Sequence, residues 1–257
     1  MNRSDLARVA DENLAATWAL LGTTMGATVA EVGPLTLVST GIGIPFFNGA
    51  YLIAPTEEPQ RLVTAAIEFF TEQNVPWLLW VREGMCPAML DAGRAMGLRG
   101  AGGPPAMGLD PIPPVPATPP GLTIEIATTI DELADHAAVL RDGFEMPPAI
   151  VDRLIQPSLI EEPNAAALVG RIDRTPVSCS LVTITGTTAG IYNVATPPAF
   201  RGQGYGAALT WAAIAEGARR GCTHAVLQAS QSGYPVYRRM GFTDLGRYVQ
   251  LEGPPHT

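Results

Sequence analysis

Apolar residues follow two different periods along the chain, and their alternation predicts helices and strands in turn. Residues 122–127 alternate as a half-buried strand does, and Thr129 is placed to cap the helix that follows. Short apolar runs between turn residues predict buried strands further on. In the C-terminal half we predict, in order, a strand at 122–127, helices at 129–141 and from Pro147, strands at 165–172, 177–185 and 189–195, a helix at 204–220, a strand at 224–230, a short helix at 235–240 and a strand at 245–251.

The N-terminal half shows a similar order of elements. A helix, three strands, a helix, a strand, a helix and a strand follow one another in both halves, which predicts two copies of one α/β fold, each with a mixed sheet flanked by helices. The predicted elements of this half are a helix at 3–21, strands at 28–31, 35–39 and 50–54, a helix at 59–73, a strand at 77–81, a helix at 86–96 and a strand at 106–109.

A proline-rich segment separates the two halves. Residues 110–121 contain six prolines in twelve residues, a composition that excludes a helix or a central strand and favours an extended, stiff connector. We therefore predict a first domain at 1–110, a linker at 111–121 and a second domain at 122–257, and both domains have a size that folds on its own.

Composition narrows the range of partners. The chain has a net charge of −8, which argues against nucleic acid or an anionic membrane surface as the main partner. No apolar run reaches the roughly 20 residues that span a bilayer, and the N-terminus lacks the apolar core of a signal peptide. Three scattered cysteines indicate reduced thiols, and His136, His224 and His256 lack metal-binding spacing. We expect a cytoplasmic protein without a metal.

The stretch from Val194 to Leu209 combines features that bind an anion. It reads VATPPAFRGQGYGAAL, in which a β-rich segment passes through two prolines into a glycine-rich loop that opens the long apolar helix. Glycines let the backbone approach a ligand closely, and free N–H groups at a helix N-terminus attract negative charge. Arg201 adds a positive charge at the mouth of the loop. These features predict a cradle for a pyrophosphate.

Two nucleotide-binding patterns fit this loop. Gly202, Gly204 and Ala207 fit the dinucleotide pattern Gly-x-Gly-x-x-Ala, which alone is weak evidence. That pattern requires its first glycine directly after a strand and an acidic residue at the end of the next strand. Prolines intervene here and the next strand ends without a carboxylate, so an oxidoreductase that binds NAD is disfavoured. Arg201, Gly204 and Gly206 fit the second pattern, Arg-x-x-Gly-x-Gly.

The second pattern resembles the coenzyme A pyrophosphate loop of the GCN5-related N-acetyltransferases, and the resemblance extends over about 122–252. The sequence YPVYRRMGF at 234–242 is similar to the family's Tyr-x-x-x-Gly-Phe ending of the last helix. The resemblance implies that a splayed strand pairs with the pantetheine arm and that the loop holds the pyrophosphate. The implied positions are Val194, Ala195 and Thr196 on the strand and Arg201, Gly202, Gln203, Gly204, Tyr205, Gly206 and Ala207 in the loop.

The resemblance also implies a catalytic acid. Tyr237 matches the tyrosine that commonly protonates the departing coenzyme A thiolate. The family often has an asparagine that touches the cofactor seven or eight residues before this tyrosine. Ser230, Gln231 or Ser232 takes that place here, and we name Ser230 as the candidate. No glutamate lies on the strand before the loop, where many relatives keep a catalytic base, so the base is not assigned.

The N-terminal copy differs from the second copy at the cofactor loop. It has APTEEP at 54–59, and prolines and carboxylates neither present free N–H groups to a pyrophosphate nor attract it. We expect this half to have lost its cofactor site, and either to wall the acceptor cleft or to form a homodimer surface.

The resemblance implies an acyltransferase. An acetyl-CoA-dependent N-acetyltransferase would move the acetyl group to an amine of a small molecule or peptide by direct attack in a ternary complex. The alternative is a non-catalytic sensor or interaction module that binds coenzyme A or an acyl-CoA. The absent asparagine and strand carboxylate favour the alternative, whereas the intact loop and Tyr237 favour the enzyme.

Overall fold

The structure, a computed structural model, describes residues 1–253, and these form helices and strands close to those predicted. The first half contains α1 Arg3–Thr24, β1 Thr28–Val32, β2 Leu35–Ser39, β3 Asn48–Leu52, α2 Pro59–Gln73, β4 Leu78–Arg82, α3 Pro87–Ala95, β5 Arg99–Gly102 and β6 Pro105–Leu109. The second half contains β7 Leu122–Ile126, α4 Ile130–Phe144, α5 Pro148–Leu154, β8 Ala165–Ile172, β9 Thr175–Thr185, β10 Thr188–Ala195, α6 Tyr205–Arg219, β11 His224–Gln228, α7 Tyr234–Arg239 and β12 Thr243–Glu252.

Packing divides the chain into two compact units. We call them the N-terminal unit, which holds residues 2–107, 228–234 and 244–253, and the C-terminal unit, which holds Met1, 108–227 and 235–243. The predicted division into a first domain at 1–110, a linker at 111–121 and a second domain at 122–257 differs from these units. The difference arises because β12 follows the second copy in sequence but belongs to the N-terminal unit.

The sheet of the N-terminal unit carries this last strand. Strands β1, β2 and β3 pair antiparallel, and β3 pairs parallel with β4. On its other edge β4 pairs antiparallel with β12, with Tyr248 opposite Arg82 and Leu251 opposite Leu79. Leu251 is fully buried in a core that α2 and α3 share with the sheet. The pairing therefore buries an apolar side chain of β12 and extends β4 on its open edge.

The sheet of the C-terminal unit repeats this pairing scheme over β8–β11 and adds β7 as one more antiparallel strand. Strands β7, β8, β9 and β10 pair antiparallel in sequence, and β10 pairs parallel with β11. Helix α6 connects β10 to β11, as α2 connects β3 to β4, and α4 and α6 both pack against the sheet. The shared scheme of antiparallel, antiparallel and parallel pairs confirms the prediction of two copies of one α/β fold.

The proline-rich segment is irregular, as predicted, but it packs against the C-terminal unit. No helix or strand lies between Leu109 and Leu122. The N–H of Ile112 donates to the carbonyl of Thr223 at 3.1 Å. Residues 115–119 line a cleft of about 540 Å³ together with residues of β7 and α6. The segment is thus held along its length by the C-terminal unit.

Candidate cofactor and catalytic site

The end of β10 separates from its parallel neighbour. Pairing between β10 and β11 covers Thr188 to Gly190, and β10 continues beyond it to Ala195. On the other side, the register with β9 shifts between Tyr192 and Ala195, where Asn193 adopts a φ of +51°. A bulge of this kind bends a strand and interrupts its ladder. The bend and the early end of pairing give the splayed strand that the family resemblance implies.

Ser178 of β9 fixes the tip of the splayed strand, and sequence reasoning missed it. Its Oγ donates to the carbonyl of Ala195 at 2.7 Å and lies 2.9 Å from Oγ1 of Thr196. Ser178 is fully buried, so these bonds face little competition from water. Two of the predicted strand positions are therefore held by a hydroxyl that only the β9–β10 register brings to them.

The glycine loop forms an open turn at the N-terminus of α6. Gly202 and Gly204 have φ values of +79° and +82°, and Gly204 occupies the N-cap position of the helix. Nothing lies within 4 Å of where a Cβ would stand at either position. Residues with side chains are strained at such φ values, which explains both glycines. The open space in front of the first turn of α6 suits an anion.

Arg201 anchors this loop through two backbone carbonyls. Its Nε donates to the carbonyl of Thr196 at 3.0 Å, and its Nη2 donates to the carbonyl of Gly143 at 2.9 Å. Its exposed guanidinium keeps the positive charge predicted for the mouth of the loop. Arg201 thus fastens the loop to the tip of β10 and to the last turn of α4.

Gly143 allows α4 to approach the splayed strand closely. A Cβ at Gly143 would lie 2.8 Å from the Cβ of Ala195 and 3.2 Å from the backbone nitrogen of Thr196. Contacts this short do not occur, so only glycine fits this position without a shift of the helix or the strand. Sequence reasoning did not connect Gly143 with β10.

The remaining loop positions pack against each other. Tyr205 is largely buried, and its hydroxyl donates to Oε1 of Gln203 at 3.0 Å. A Cβ at Gly206 would lie 3.4 Å from Oγ1 of Thr196 and 4.0 Å from Cγ1 of Val194. The structure therefore brings the first turn of α6 and the tip of β10 together and leaves Gly202, Gln203 and Gly204 exposed.

Tyr237 lies on α7 and is 9% exposed. Burial raises its pKa to about 12, and a hydrogen bond with the side chain of Thr210 works in the opposite direction. Oγ1 of Thr210 in turn donates to the carbonyl of Gly206 at 2.8 Å. A chain of polar contacts thus links the phenol to the first turn of α6. The phenol stays protonated at neutral pH, as a proton donor must.

Ser230 belongs to the N-terminal unit, whereas the other predicted site residues belong to the C-terminal unit. Its hydroxyl accepts a hydrogen bond from the N–H of Gly233 at 3.1 Å and lies 3.3 Å from that of Ser232. Its carbonyl accepts from the N–H of Tyr234 at 2.9 Å. These bonds shape the turn that leads into α7.

The N-terminal copy replaces the open turn with bonded and blocked groups. The N–H of Glu58 donates to Oγ1 of Thr56 at 3.0 Å, and Pro59, which has no N–H, begins α2. The carboxylate of Glu58 pairs with Arg61 at 2.8 Å. The equivalent helix therefore offers an anion fewer donors and an additional negative charge.

Other predicted features concern metals and membranes. In the part of the chain that the structure describes, no group of three or more His, Cys, Asp or Glu residues is placed to hold a metal. His136 and His224 are buried, and His256 lies outside the described residues. The helices within residues 1–253 include none with the length and hydropathy of a membrane span.

Comparison with known proteins identifies the class. Residues 132–242 match the Acetyltransferase (GNAT) family. Comparison with curated proteins gives no significant match. Residues 132–242 therefore form a domain of the GNAT family, which is the family of GCN5-related N-acetyltransferases.

Solved structures share the fold over most of the chain. A GCN5-related N-acetyltransferase from Kribbella flavida has a TM-score of 0.71 and 22% identity, and the match covers 93% of this chain and 95% of that one. A GCN5-related N-acetyltransferase from Sphaerobacter thermophilus has a TM-score of 0.64 and 18% identity, covering 87% and 78%. A tandem GNAT protein from the clavulanic acid biosynthesis pathway has a TM-score of 0.63 and 15% identity, covering 86% and 79%. The two-copy fold is thus a tandem GNAT fold.

Proposed function

We propose that this protein is an acetyl-CoA-dependent N-acetyltransferase that acts on an amine through its C-terminal unit. The observation that supports this most strongly is the open glycine turn of Gly202 and Gly204 at the N-terminus of α6, packed against the splayed tip of β10. A turn that served only to join a strand to a helix would not require the strand to leave its parallel neighbour at the same point.

The residues of this turn fit a pyrophosphate. The space where side chains would stand at Gly202 and Gly204 is open, and the N–H groups of the first turn of α6 attract negative charge. In our proposal residues 202–207 hold the pyrophosphate, Arg201 adds attraction, and Val194, Ala195 and Thr196 pair with the pantetheine arm. All of these residues belong to the C-terminal unit, and Ser230, which belongs to the N-terminal unit, is not included in the proposed site.

When bound, acetyl-CoA supplies an activated acetyl thioester that an amine can attack directly. A backbone N–H near Ala195 would polarise the thioester oxygen as that atom gains charge. The bonds from Ser178 to the tip of β10 hold that backbone in place. All three cysteines are buried, and burial raises the pKa of the Cys179 and Cys222 thiols, which makes them poor nucleophiles. The base that takes the proton from the amine is not assigned.

Tyr237 would donate a proton or a hydrogen bond to the sulfur as its bond to the acetyl carbon breaks. An ordinary thiol has a pKa of about 8.5, so a phenol with a pKa of about 12 would give up its proton only against an unfavourable equilibrium in water. Burial in the same site would also raise the pKa of the leaving coenzyme A thiol, because a thiolate anion loses hydration there. We therefore propose that Tyr237 mainly stabilises the negative charge on sulfur through a hydrogen bond. The proton passes fully to the sulfur as the thiol leaves.

Calorimetric titration with acetyl-CoA, beside NAD as a control, tests the site. We expect saturable binding of one acetyl-CoA per chain and none of NAD, and we expect Gly204→Glu to abolish binding. Gly221→Glu is the matched control, because Gly221 lies just beyond the other end of α6, has a φ of +94° and faces equally open space. Normal binding by Gly204→Glu would refute the site. Binding without turnover of an amine panel would favour the non-catalytic sensor instead.

A further inference from the structure

A polar cleft of about 750 Å³, lined in part by Ser230, lies within the N-terminal unit. Its charged lining groups are Glu83, Asp244 and Arg247, and Tyr234 and Gln231 add a phenol and an amide. Its volume is in the range of small-molecule sites. The half of the chain that lost its glycine turn thus carries a cleft of its own.

Backbone hydrogen bonds hold the walls of this cleft in fixed positions. The N–H of Glu83 donates to the carbonyl of Arg247 at 2.7 Å, and the N–H of Tyr248 donates to the carbonyl of Pro104 at 2.9 Å. The N–H of Ala229 donates to the carbonyl of Pro105 at 3.0 Å. Four separate segments are tied together in this way, so little order is lost when a ligand enters.

Glycines lie where the segments that wall the cleft cross. Gly103 has a φ of +141°, and a Cβ there would lie 1.9 Å from the carbonyl oxygen of Tyr248. Gly246 has a φ of +117°. A side chain would be strained at either position, so the segments can pass each other this closely only with glycine there.

The charged groups in the cleft are separately oriented. Tyr234 donates from its hydroxyl to Oδ2 of Asp244 at 3.0 Å, which fixes the carboxylate. Arg247 donates from Nη1 to the carbonyl of Gly103, which fixes the guanidinium. The carboxylate of Glu83 has no ion pair or hydrogen bond to another side chain within residues 1–253. Two carboxylates and one guanidinium in a single cleft are complementary to a ligand that carries an ammonium and an acidic group.

We propose that this cleft binds a zwitterionic small molecule of the amino-acid class. Its ammonium group lies towards Glu83 and Asp244, and its carboxylate lies towards Arg247. Binding here is independent of acetyl-CoA binding at the glycine turn, so either can fail without the other.

Titration of the full chain with the twenty common amino acids, putrescine and succinate tests this site. We expect at least one amino acid to bind at one per chain, and putrescine and succinate, which carry charge of one sign only, to bind at least about tenfold more weakly. Glu83→Gln and Arg247→Gln should each weaken that binding by about tenfold or more. The matched controls Glu72→Gln and Arg94→Gln change the same charges on exposed helix surfaces of the same unit and should leave it unchanged.

Three results would overturn the assignment. The first is the absence of saturable binding by any amino acid while circular dichroism shows folded protein. The second is binding that neither Glu83→Gln nor Arg247→Gln weakens, which would place the ligand elsewhere. Equal affinity for putrescine would also overturn it, because it would leave no role for the guanidinium.

Discussion

The hydroxyl of Tyr248, in the last strand, donates a hydrogen bond of 2.9 Å to Oδ1 of Asp11, in the first helix. Nε of Arg82 lies 3.1 and 2.9 Å from the two oxygens of the same carboxylate. The Asp11 side chain is 0% exposed, so its charge depends on these two partners. One buried carboxylate thereby joins α1, β4 and β12 within the N-terminal unit.

Asp11 should make stability fall as the pH rises. Burial raises its pKa to about 6, although the charge of Arg82 opposes the shift, whereas an unfolded chain has a value of about 3.9. Between these values the folded protein keeps a proton that the unfolded chain has released, so raising the pH costs stability. A shift of about two pKa units corresponds to about 3 kcal/mol between pH 4 and pH 7.

Urea unfolding of the wild type and Asp11→Asn from pH 4 to pH 7 measures this contribution. Relative to the variant, the wild type should lose about 3 kcal/mol of unfolding free energy over that range. Glu72→Gln, at an exposed position of α2 in the same unit, is the matched control and should run parallel to the wild type. If the unfolding free energies of Asp11→Asn and the wild type changed with pH in parallel, the raised pKa of Asp11 would be contradicted.

Leu251→Ala should destabilise the N-terminal unit. Leu251 is fully buried in the core cluster of that unit, and truncation of a buried leucine costs about 2–5 kcal/mol. Hydrogen exchange should show the loss in β4 and α3, since both contribute to this core. Val29→Ala, at an exposed apolar position of β1, should cost little in the same assay. Exchange that stays unchanged in β4 would show that β12 is not part of this core.

Gly143→Ala should weaken acetyl-CoA binding as well as stability. The added methyl group pushes α4 away from Ala195 and Thr196, and overpacking of this kind costs about 1–3 kcal/mol. Gly217→Ala is a matched control, because its Cβ would lie 2.6 Å from that of Ala189, in an equally tight contact away from the tip of β10. Both variants should unfold earlier, but only Gly143→Ala should bind acetyl-CoA more weakly in calorimetry. Equal affinities of the two variants for acetyl-CoA would show that α4 does not support the cofactor site.

Tyr237→Phe should lower kcat with little change in acetyl-CoA affinity. A donor to the leaving sulfur is worth about 10²-fold, and phenylalanine keeps the ring that packs against Phe242 at 5.8 Å. Because the pKa of Tyr237 is raised to about 12, its ionisation should not shape the pH profile below pH 10. The measurement is steady-state turnover against pH. An unchanged kcat would remove Tyr237 from the mechanism.

Local signals in the sequence were sufficient to predict most helices and turns. Helix α2 begins and ends at the predicted residues, and Thr129 caps α4 through a capping box with Glu132. Between the strands predicted at 165–172 and 177–185, Asp173 and Arg174 form a turn with φ values of +47° and +68°. Side-chain caps, glycine and turn conformations act within a few residues, so a single sequence contains the information. Strand β5 was missed because Arg99–Gly102 is exposed and has no apolar alternation.

Tertiary structure alone decided the placement of β12 and the support of the candidate site. The sequence by itself determined the tandem order of elements, the glycine turn at α6 and the tyrosine on α7, because each depends on neighbouring residues. The pairing of β12 with β4, the bond from Ser178 to Ala195 and the close approach of Gly143 join segments that are far apart in the chain. Strands with similar alternation can pair in many ways, and only the burial of their side chains in one common core selects among them.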